Sequence, residues 1–419
     1  MAQSRVAQVF ADEWPALVAT LRRDLGDLGL AEDVAQEAFA EAAARWGPGS
    51  TPDRPGAWLL TTARRRAIDQ IRRDKRFADR LPALAELATV PPREQSELVD
   101  DQLALIFGCC HDSLNREAQI ALTLREVCGL STGQIAGAFL VPTPTMAKRL
   151  VRAKNKIRSA KVPFVVPEPE DLPERLAAVL GVIYLIFTAG HTNTEGASLV
   201  RGDLCDEARW LVNILDGLLS ARRPTETDLT SEVAEVKGLN ALLLFTDARR
   251  ATRIDEDGRL VLLEHQDRSL WDQALVAEGQ AMLAQSFAAD RIGPYQSQAA
   301  IAGLHATAAS WTDTDWPAIA GLYRRLSELD PSPVIELNRA VALAMAHGPE
   351  AGLELLDRLA DGHELDDYRY FHAARADLLR QLDHRADAIT AYRRALELGG
   401  NDAEKQFLIG RLDELGAEA

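Results

Sequence analysis

Apolar side chains recur every three to four positions along almost the whole chain, the period of helices that bury one stripe and wet the opposite one. The pattern predicts an all-α protein, with Arg259 to Leu263 the one short stretch that alternates as a strand does. Breakers punctuate the helices. Gly47-Pro48-Gly49 with Pro52 and Pro55 mark an internal loop, Pro91-Pro92 a linker, and the proline-rich, acidic Pro163 to Pro173 stretch a domain boundary. Asp255-Glu256-Asp257-Gly258 reads as a turn, and Asp313 to Trp316 as the capped start of another helix.

Between Glu117 and Arg158 the punctuation is that of a helix-turn-helix. Ala118 to Cys128 reads as one helix, Ser131 caps a second, Val141-Pro142 breaks it, and Thr145 caps a third. At 100° per residue, Met146, Leu150, Ala153 and Ile157 share one face of that third helix, and Lys148, Arg152, Asn155 and Lys156 fall opposite. Upstream, Leu60, Ala63, Ala67 and Ile71 form the stripe of a helix that also begins with Trp58. Near the C-terminus the trio Ile319, Tyr323, Leu326 recurs as Gly352, Leu356, Leu359 and as Ala388, Tyr392, Ala395, with Ala376 before the last copy. The offsets approach the roughly 34-residue tetratricopeptide period, so a degenerate repeat tail is expected.

Charge changes the picture once it is divided along the chain. The 419 residues carry a net charge of −16. Through Lys161, however, 23 basic side chains face 20 acidic ones, whereas beyond it 24 face 43. From Lys148 to Lys161 there are seven basic residues and no acid, and from Arg64 to Arg80 eight basic residues face Asp69, Asp74 and Asp79. Local fields of that kind meet phosphates, whatever the overall sign. The longest nearly unbroken apolar run, Leu176 to Phe187, falls short of the roughly 20 residues of a membrane helix, so no membrane association and a cytoplasmic location are expected. Four cysteines do not make a disulfide framework. Cys109 and Cys110 are adjacent and point to different sides of a helix, which disfavours a zinc site with His111 or Cys128. Polar residues crowd around the strand-like stretch (Asp247, Arg249, Arg250, Arg253, Glu264, His265, Asp267, Arg268, Asp272), as they would in a small-ligand pocket or in a buried ion-pair network; nothing marks a nucleophile, phosphate loop or metal set, so the network is preferred, and neither cofactor nor enzyme activity is expected.

Ser131 to Arg158 resembles the region that reads the −35 promoter element in bacterial extracytoplasmic-function sigma factors, through Gln134-Ile135-Ala136, Thr145-Met146, Lys148-Arg149-Leu150 and Arg152-Ala153-Lys154. Ala31-Glu32-Asp33-Val34-Ala35-Gln36-Glu37-Ala38-Phe39 resembles the helix by which these proteins dock on core RNA polymerase. Pro55 to Arg73 is similar to the helix that reads and opens the −10 element, with Arg65 where the family usually has Asn. The resemblance implies polymerase contacts at Asp33, Gln36, Glu37 and Phe39. It implies −10 contacts at Trp58, Arg64, Arg65, Asp69, Arg72 and Arg73, and −35 contacts at Thr145, Lys148, Arg149, Arg152, Lys154 and Lys156. Cys109-Cys110-His111 and later segments, among them Asp247 to Arg250 and Ser332 to Ala340, resemble a subgroup with a long C-terminal extension ending in tetratricopeptide-like repeats.

The expected division is therefore 1–80, region 2; 81–100, linker; 101–161, region 4; 162–310, a helical middle domain; and 311–419, the repeats. The expected partners are core RNA polymerase, promoter DNA and a protein on the repeat surface. A ligand-controlled helix-turn-helix regulator and an enzyme housed in the middle domain are the alternatives.

Overall fold

The structure is a computed structural model that describes residues 2–46, 51–73, 95–139, 141–168, 170–191, 202–221, 230–255, 261–289, 291–400 and 402–417. The Gly47-Pro48-Gly49 loop, Pro91-Pro92, Glu256-Asp257-Gly258, Arg259 and the side chain of Arg73 lie outside the described residues. Among those described, the regular elements are helices. Of the stretch expected to alternate as a strand, residues 259 and 260 lie outside those described; the Val261 amide donates to the Arg253 carbonyl at 2.9 Å, next to a single β-bridge residue at Ile254, and Leu263–His265 closes into a 3-10 turn.

The chain divides into two compact units, Met1–Ile186 with Asn213–Asp228, and Phe187–Val212 with Leu229–Ala419. In the first, α1 (Ala2–Leu25), α2 (Leu28–Arg45) and α3 (Pro55–Arg73) pack together, and α4 (Gln95–Cys109), which begins inside the expected linker, lies on α1. Gly26 takes φ +66 to turn the chain between α1 and α2, and Asp27 caps α2 by accepting from the Leu30 amide at 3.0 Å. Trp14, Leu21, Leu25, Val34 and Ala38 fill the core, joined by the Trp46 ring. The helix-turn-helix follows as α5 (Arg116–Leu122), continued by a π-turn (Thr123–Val127), then α6 (Thr132–Ala138) and α7 (Thr143–Ser159).

This unit does not end at Lys161, where the charge reverses. The Arg22 guanidinium lies 4.2 Å over the Phe164 ring, Arg175 donates to the Phe107 carbonyl at 3.0 Å, and Arg116 donates to the Ala178 carbonyl at 3.3 Å. The proline-rich stretch is a strap across the first unit. Prolines cannot donate to a helix ladder, but they leave the neighbouring side chains free to pack. Leu172–His191 (α8) is the one helix among the described residues long and apolar enough to cross a membrane by length and composition, a possibility that the unbroken-run criterion missed; its Leu176, Val179, Leu180, Val182 and Ile183 are buried within the protein.

Gly202–Ala221 (α9) is followed in the second unit by α10 (Thr230–Asp247), which is buried on nearly all sides and packs against α11 (Gln273–Ser286) and α12 (Pro294–Thr307). Helices α13 (Trp316–Leu329), α14 (Pro333–His347), α15 (Pro349–Ala360), α16 (Arg369–Gln381), α17 (Arg385–Glu397) and α18 (Asp402–Glu414) then follow through short connections. The repeating positions fall on α13, α15 and α17, and Ile319, Leu326, Gly352, Leu356, Ala388, Tyr392 and Ala395 are all buried. Gly352 shows why a small residue is needed: a Cβ there would stand 2.6 Å from both the Ala340 carbonyl oxygen and the Ala344 Cβ, where α14 and α15 cross.

Candidate nucleic-acid and polymerase interface

In the helix-turn-helix, Asn115 caps α5 by accepting from the Ala118 amide at 3.0 Å. Ser131 and Gln134 form a reciprocal capping box on α6, with bonds of 3.2 and 2.9 Å. Thr145 does not cap α7. The helix starts at Thr143 after an extended Pro142, with Pro144 in its first turn, where the missing amide hydrogen costs nothing. Met146, Leu150, Ala153 and Ile157 are buried as the periodicity requires, and Thr145, Lys148, Arg152 and Lys156 are exposed on the outer side. Arg149 is half-buried and its Nη1 lies 3.1 Å from Glu117 Oε2. Lys154, expected among the DNA contacts, faces inward instead. Its Nζ is 2.8 Å from Glu126 Oε1 and pairs also with Glu32.

Helix α3 presents Arg65, Asp69 and Arg72 to solvent on one face, spaced i, i+4, i+7. Its buried stripe is Leu59, Ala63, Ala67 and Ile71, one residue earlier at its start than expected, and Leu60 is half-buried. Arg64 belongs to the interior: its Nε and Nη2 reach Asp24 Oδ2 at 3.1 and 2.8 Å. Arg66 pairs with Glu41 at 2.7 Å and holds that carboxyl below its ordinary pKa. The half-buried Trp58 ring packs edge-on against Trp46 at 5.2 Å, which leaves it a packing residue with one accessible side.

On α2, Asp33, Gln36 and Glu37 form an exposed acidic edge. Partial burial and the neighbouring Glu37 and Asp27 carboxylates raise the Asp33 pKa. Phe39, expected at the polymerase surface, is buried; its ring lies 4.8 Å from Phe10 and 6.0 Å from Trp14. It sits four residues beyond buried Ala35, so its place on the packing stripe was visible in the periodicity although the motif suggested otherwise.

The residues that sequence reading missed join the two halves of this unit. Glu126 is fully buried at the end of the π-turn, and burial pushes its carboxyl up to about 8. Burial likewise pushes Lys154 down to about 8. Arg125 Nε donates to Glu32 Oε1 at 2.6 Å, Arg158 Nε donates to Asp27 Oδ2 at 3.1 Å, and Trp14 Nε1 donates to the Glu126 carbonyl at 3.1 Å. No local pattern marks these pairs, because the partners lie far apart in the chain.

The polar cluster of the second unit resolves into structural contacts. Asp247 pairs with Arg209 at 3.1 Å and with Arg250 at 2.6 Å, and Arg250 reaches Asp206 at 2.8 Å. Arg268 donates to the carbonyls of His305 and Ala308 at 2.6 and 2.8 Å, gathering the end of α12. Asp267 caps the 3-10 turn that follows it, and Asp272 caps α11. Cys109 and Cys110 are both buried, which raises their thiol pKa values, Cys110 to about 11.

Residues 10–77 match the family described as Sigma-70 region 2, and residues 104–157 match Sigma-70, region 4. These two matches cover the acidic edge of α2, the basic face of α3 and the outer face of α7. The chain belongs to the extracytoplasmic-function sigma factors. As such it directs transcription initiation, and it carries a long C-terminal extension, of which residues 175–287 match a family of unknown function, DUF6596. An uncharacterized protein of Rhizobium meliloti is 42% identical over 413 residues, which are 96% of this sigma factor and 94% of that protein. The probable ECF RNA polymerase sigma factor SigI of Mycobacterium tuberculosis is 28% identical over 153 residues, 35% of this chain and 52% of SigI. The ECF RNA polymerase sigma factor SigK of Mycolicibacterium vanbaalenii is 29% identical over 164 residues, 36% of this chain and 83% of SigK. No solved structure matches.

Proposed function

We propose that this sigma factor docks core RNA polymerase through Asp33, Gln36 and Glu37, meets the −10 element with Arg65, Asp69 and Arg72, and meets the −35 element with Thr145, Lys148, Arg149, Arg152 and Lys156. It acts in the cytoplasm, and the extension regulates it in cis. The observation that carries the reading is the outer face of α7: its stripe Met146, Leu150, Ala153, Ile157 is buried while Lys148, Arg152 and Lys156 stand exposed, as a groove-reading helix requires. Arg65 replaces an amide that pairs with a base edge by a long cation, so α3 follows the backbone there more than it reads sequence.

Arg149→Ala and Arg152→Ala are each expected to weaken promoter-specific transcription by about 5- to 150-fold if they contact base edges, or roughly 1–3 kcal/mol. A residue that touches only phosphate instead lowers the salt slope of binding by about one unit. Transcription across a salt series measures both, and unchanged transcription in both variants would remove the −35 assignment.

The extension is tied to region 4 by Arg116 and Arg175, and a helical tail longer than the sigma part is more structure than charge masking requires. Cutting the chain after Lys161 is expected to strengthen nonspecific duplex binding, because the net negative segment is gone, while promoter-directed transcription falls. A truncated protein that matches the full chain in both quantities would show no regulation in cis.

A further inference from the structure

We infer that Arg249, Arg253 and Arg268, with the imidazole of His305, form a binding site in the extension for a small phosphate-bearing solute, either inorganic phosphate or a phosphate monoester. The polar cluster of the second unit has two sides. On one, the cations have carboxylates: Arg209 and Arg250 share Asp247, and Arg250 also reaches Asp206. On the other, none of Arg249, Arg253 and Arg268 forms an ion pair among the described residues. Burial and the charges of Arg253 and Arg268 push the Arg249 pKa down to about 10, and only the Tyr323 phenol acts the other way. The carboxylates that reach the other two arginines from a distance are already engaged: Asp313 accepts from Ser310 at 2.6 Å, and Glu404 pairs with Arg369 at 2.6 Å. Acids are not scarce in this part of the chain, since 43 of them face 24 basic side chains beyond Lys161. Three unpaired cations here are an uncompensated cost unless an anion from outside answers them.

Contacts that do not depend on an anion hold these groups together. Thr252 Oγ1 donates to the Arg249 carbonyl at 3.0 Å and accepts from Trp271 Nε1 at 3.0 Å, and the Arg268 guanidinium lies 4.9 Å from the centre of the Trp271 ring. Arg268 donates to the His305 carbonyl at 2.6 Å, which brings that imidazole within the field of Arg249 and Arg268. Arg253 Nη1 donates to the carbonyl of buried His191 and to its Nδ1, the latter at 3.1 Å, so its guanidinium is fixed. His305 Nδ1 is itself buried and has no hydrogen-bond partner among the described residues. Burial and the two arginines push the His305 pKa down to about 4, so the ring is neutral and, in its Nδ1–H tautomer, offers a donor without a fourth charge. All three arginines are only half-buried, which leaves them open to a solute. A phosphoryl group matches this set: it brings a charge of roughly −1.5 to −2 near neutral pH and three acceptor oxygens. Guanidinium forks bind such a group through paired, charge-assisted hydrogen bonds. One carboxylate would leave two of the cations unanswered. Because the donors are already placed and no ion pair has to break first, little of the binding energy is lost to rearrangement.

Calorimetric titration and thermal unfolding of the full chain, in chloride buffer at constant ionic strength, test the site with inorganic phosphate, glycerol phosphate and acetate as probes. Phosphate or the ester is expected to bind one-to-one and to raise Tm. Tighter binding of the ester marks an esterified ligand, and tighter binding of phosphate marks the free anion. Arg249→Gln is expected to weaken binding at least about tenfold. Because it removes an unpaired cation, the same change leaves the ligand-free Tm equal or higher, whereas loss of a merely structural residue would lower it. His305→Phe keeps a ring edge-on to Trp316 and is expected to weaken binding as well; should Arg249→Gln fail to fold, this variant decides the question. Arg358→Gln removes an exposed cation of the same unit and is expected to bind as the unsubstituted chain does. Absence of binding by both phosphate probes at millimolar concentration overturns the site, and so does equal affinity in Arg249→Gln and the unsubstituted chain. Acetate bound as tightly as phosphate overturns the phosphoryl assignment. None of these readouts involves polymerase or promoter DNA, so the site stands or falls apart from the sigma reading.

Discussion

Reversing Asp33 and Glu37 to lysine is expected to reduce affinity for core RNA polymerase at least about 100-fold, because two like-charge contacts with a basic partner cost several kcal/mol. Both side chains are exposed; Glu37 loses a solvated pair with Arg66 at 3.9 Å, of small worth, and Asp33 loses its attraction to Arg125. The fold should therefore be unaffected. The basic outer face of α7, proposed above to meet DNA, carries none of the changed residues, so duplex binding should persist. Co-elution with core polymerase and gel-shift on duplex DNA, measured on one preparation, separate the two activities. Equal loss of both would mean general misfolding, and intact polymerase binding would move the docking surface away from α2.

The second large effect is structural. Met146→Asp puts a carboxylate at a position with no exposure, on the stripe that holds α7 against the rest of region 4. A charge buried on an apolar stripe costs on the order of 4 kcal/mol or more. Set against a typical stability of about 5–15 kcal/mol, this melts or nearly melts the helix-turn-helix. Thermal unfolding and proteolysis of the 131–159 segment should both show it, while Met146→Leu, which conserves volume, should cost less than about 1.5 kcal/mol. A stable Met146→Asp protein would mean that the helix does not pack as described.

What could be read from the sequence depended on how local the cause was. The α7 stripe was legible, because a 3.6-residue period alone decides which of its residues face inward, and all four are buried. The Ser131–Gln134 capping box adds a purely local signal at three residues' spacing. Arg64 and Lys154 were misplaced for the opposite reason. Each lies in a basic helix and looks like part of the solvated face, but Asp24 in one case and Glu32 with Glu126 in the other draw it inward from another element. Long-range pairing of that kind leaves no periodic trace. The domain boundary failed similarly: charge composition and prolines both change near Lys161, yet Phe164 and Arg175 pack back on α1 and α4. Composition reports solvation, and packing reports contact; at this strap the two diverge.

The division between the units also bears on the extension. Its polar cluster, read from the sequence as a network rather than a catalytic site, consists of pairs such as Asp247 with Arg209 and Arg250 and of helix-end contacts from Arg268. Such groups fix the ends of helices and orient the segments between them.

The most direct test of the central claim uses the unmodified chain and purified core RNA polymerase, first without DNA and then with a promoter. A sigma factor is predicted to co-elute with the core enzyme in the absence of DNA and to convert it into a form that starts transcripts at one defined position. A chain that binds duplex DNA but neither co-elutes with core polymerase nor yields a defined start would contradict the account and leave a helix-turn-helix regulator in its place.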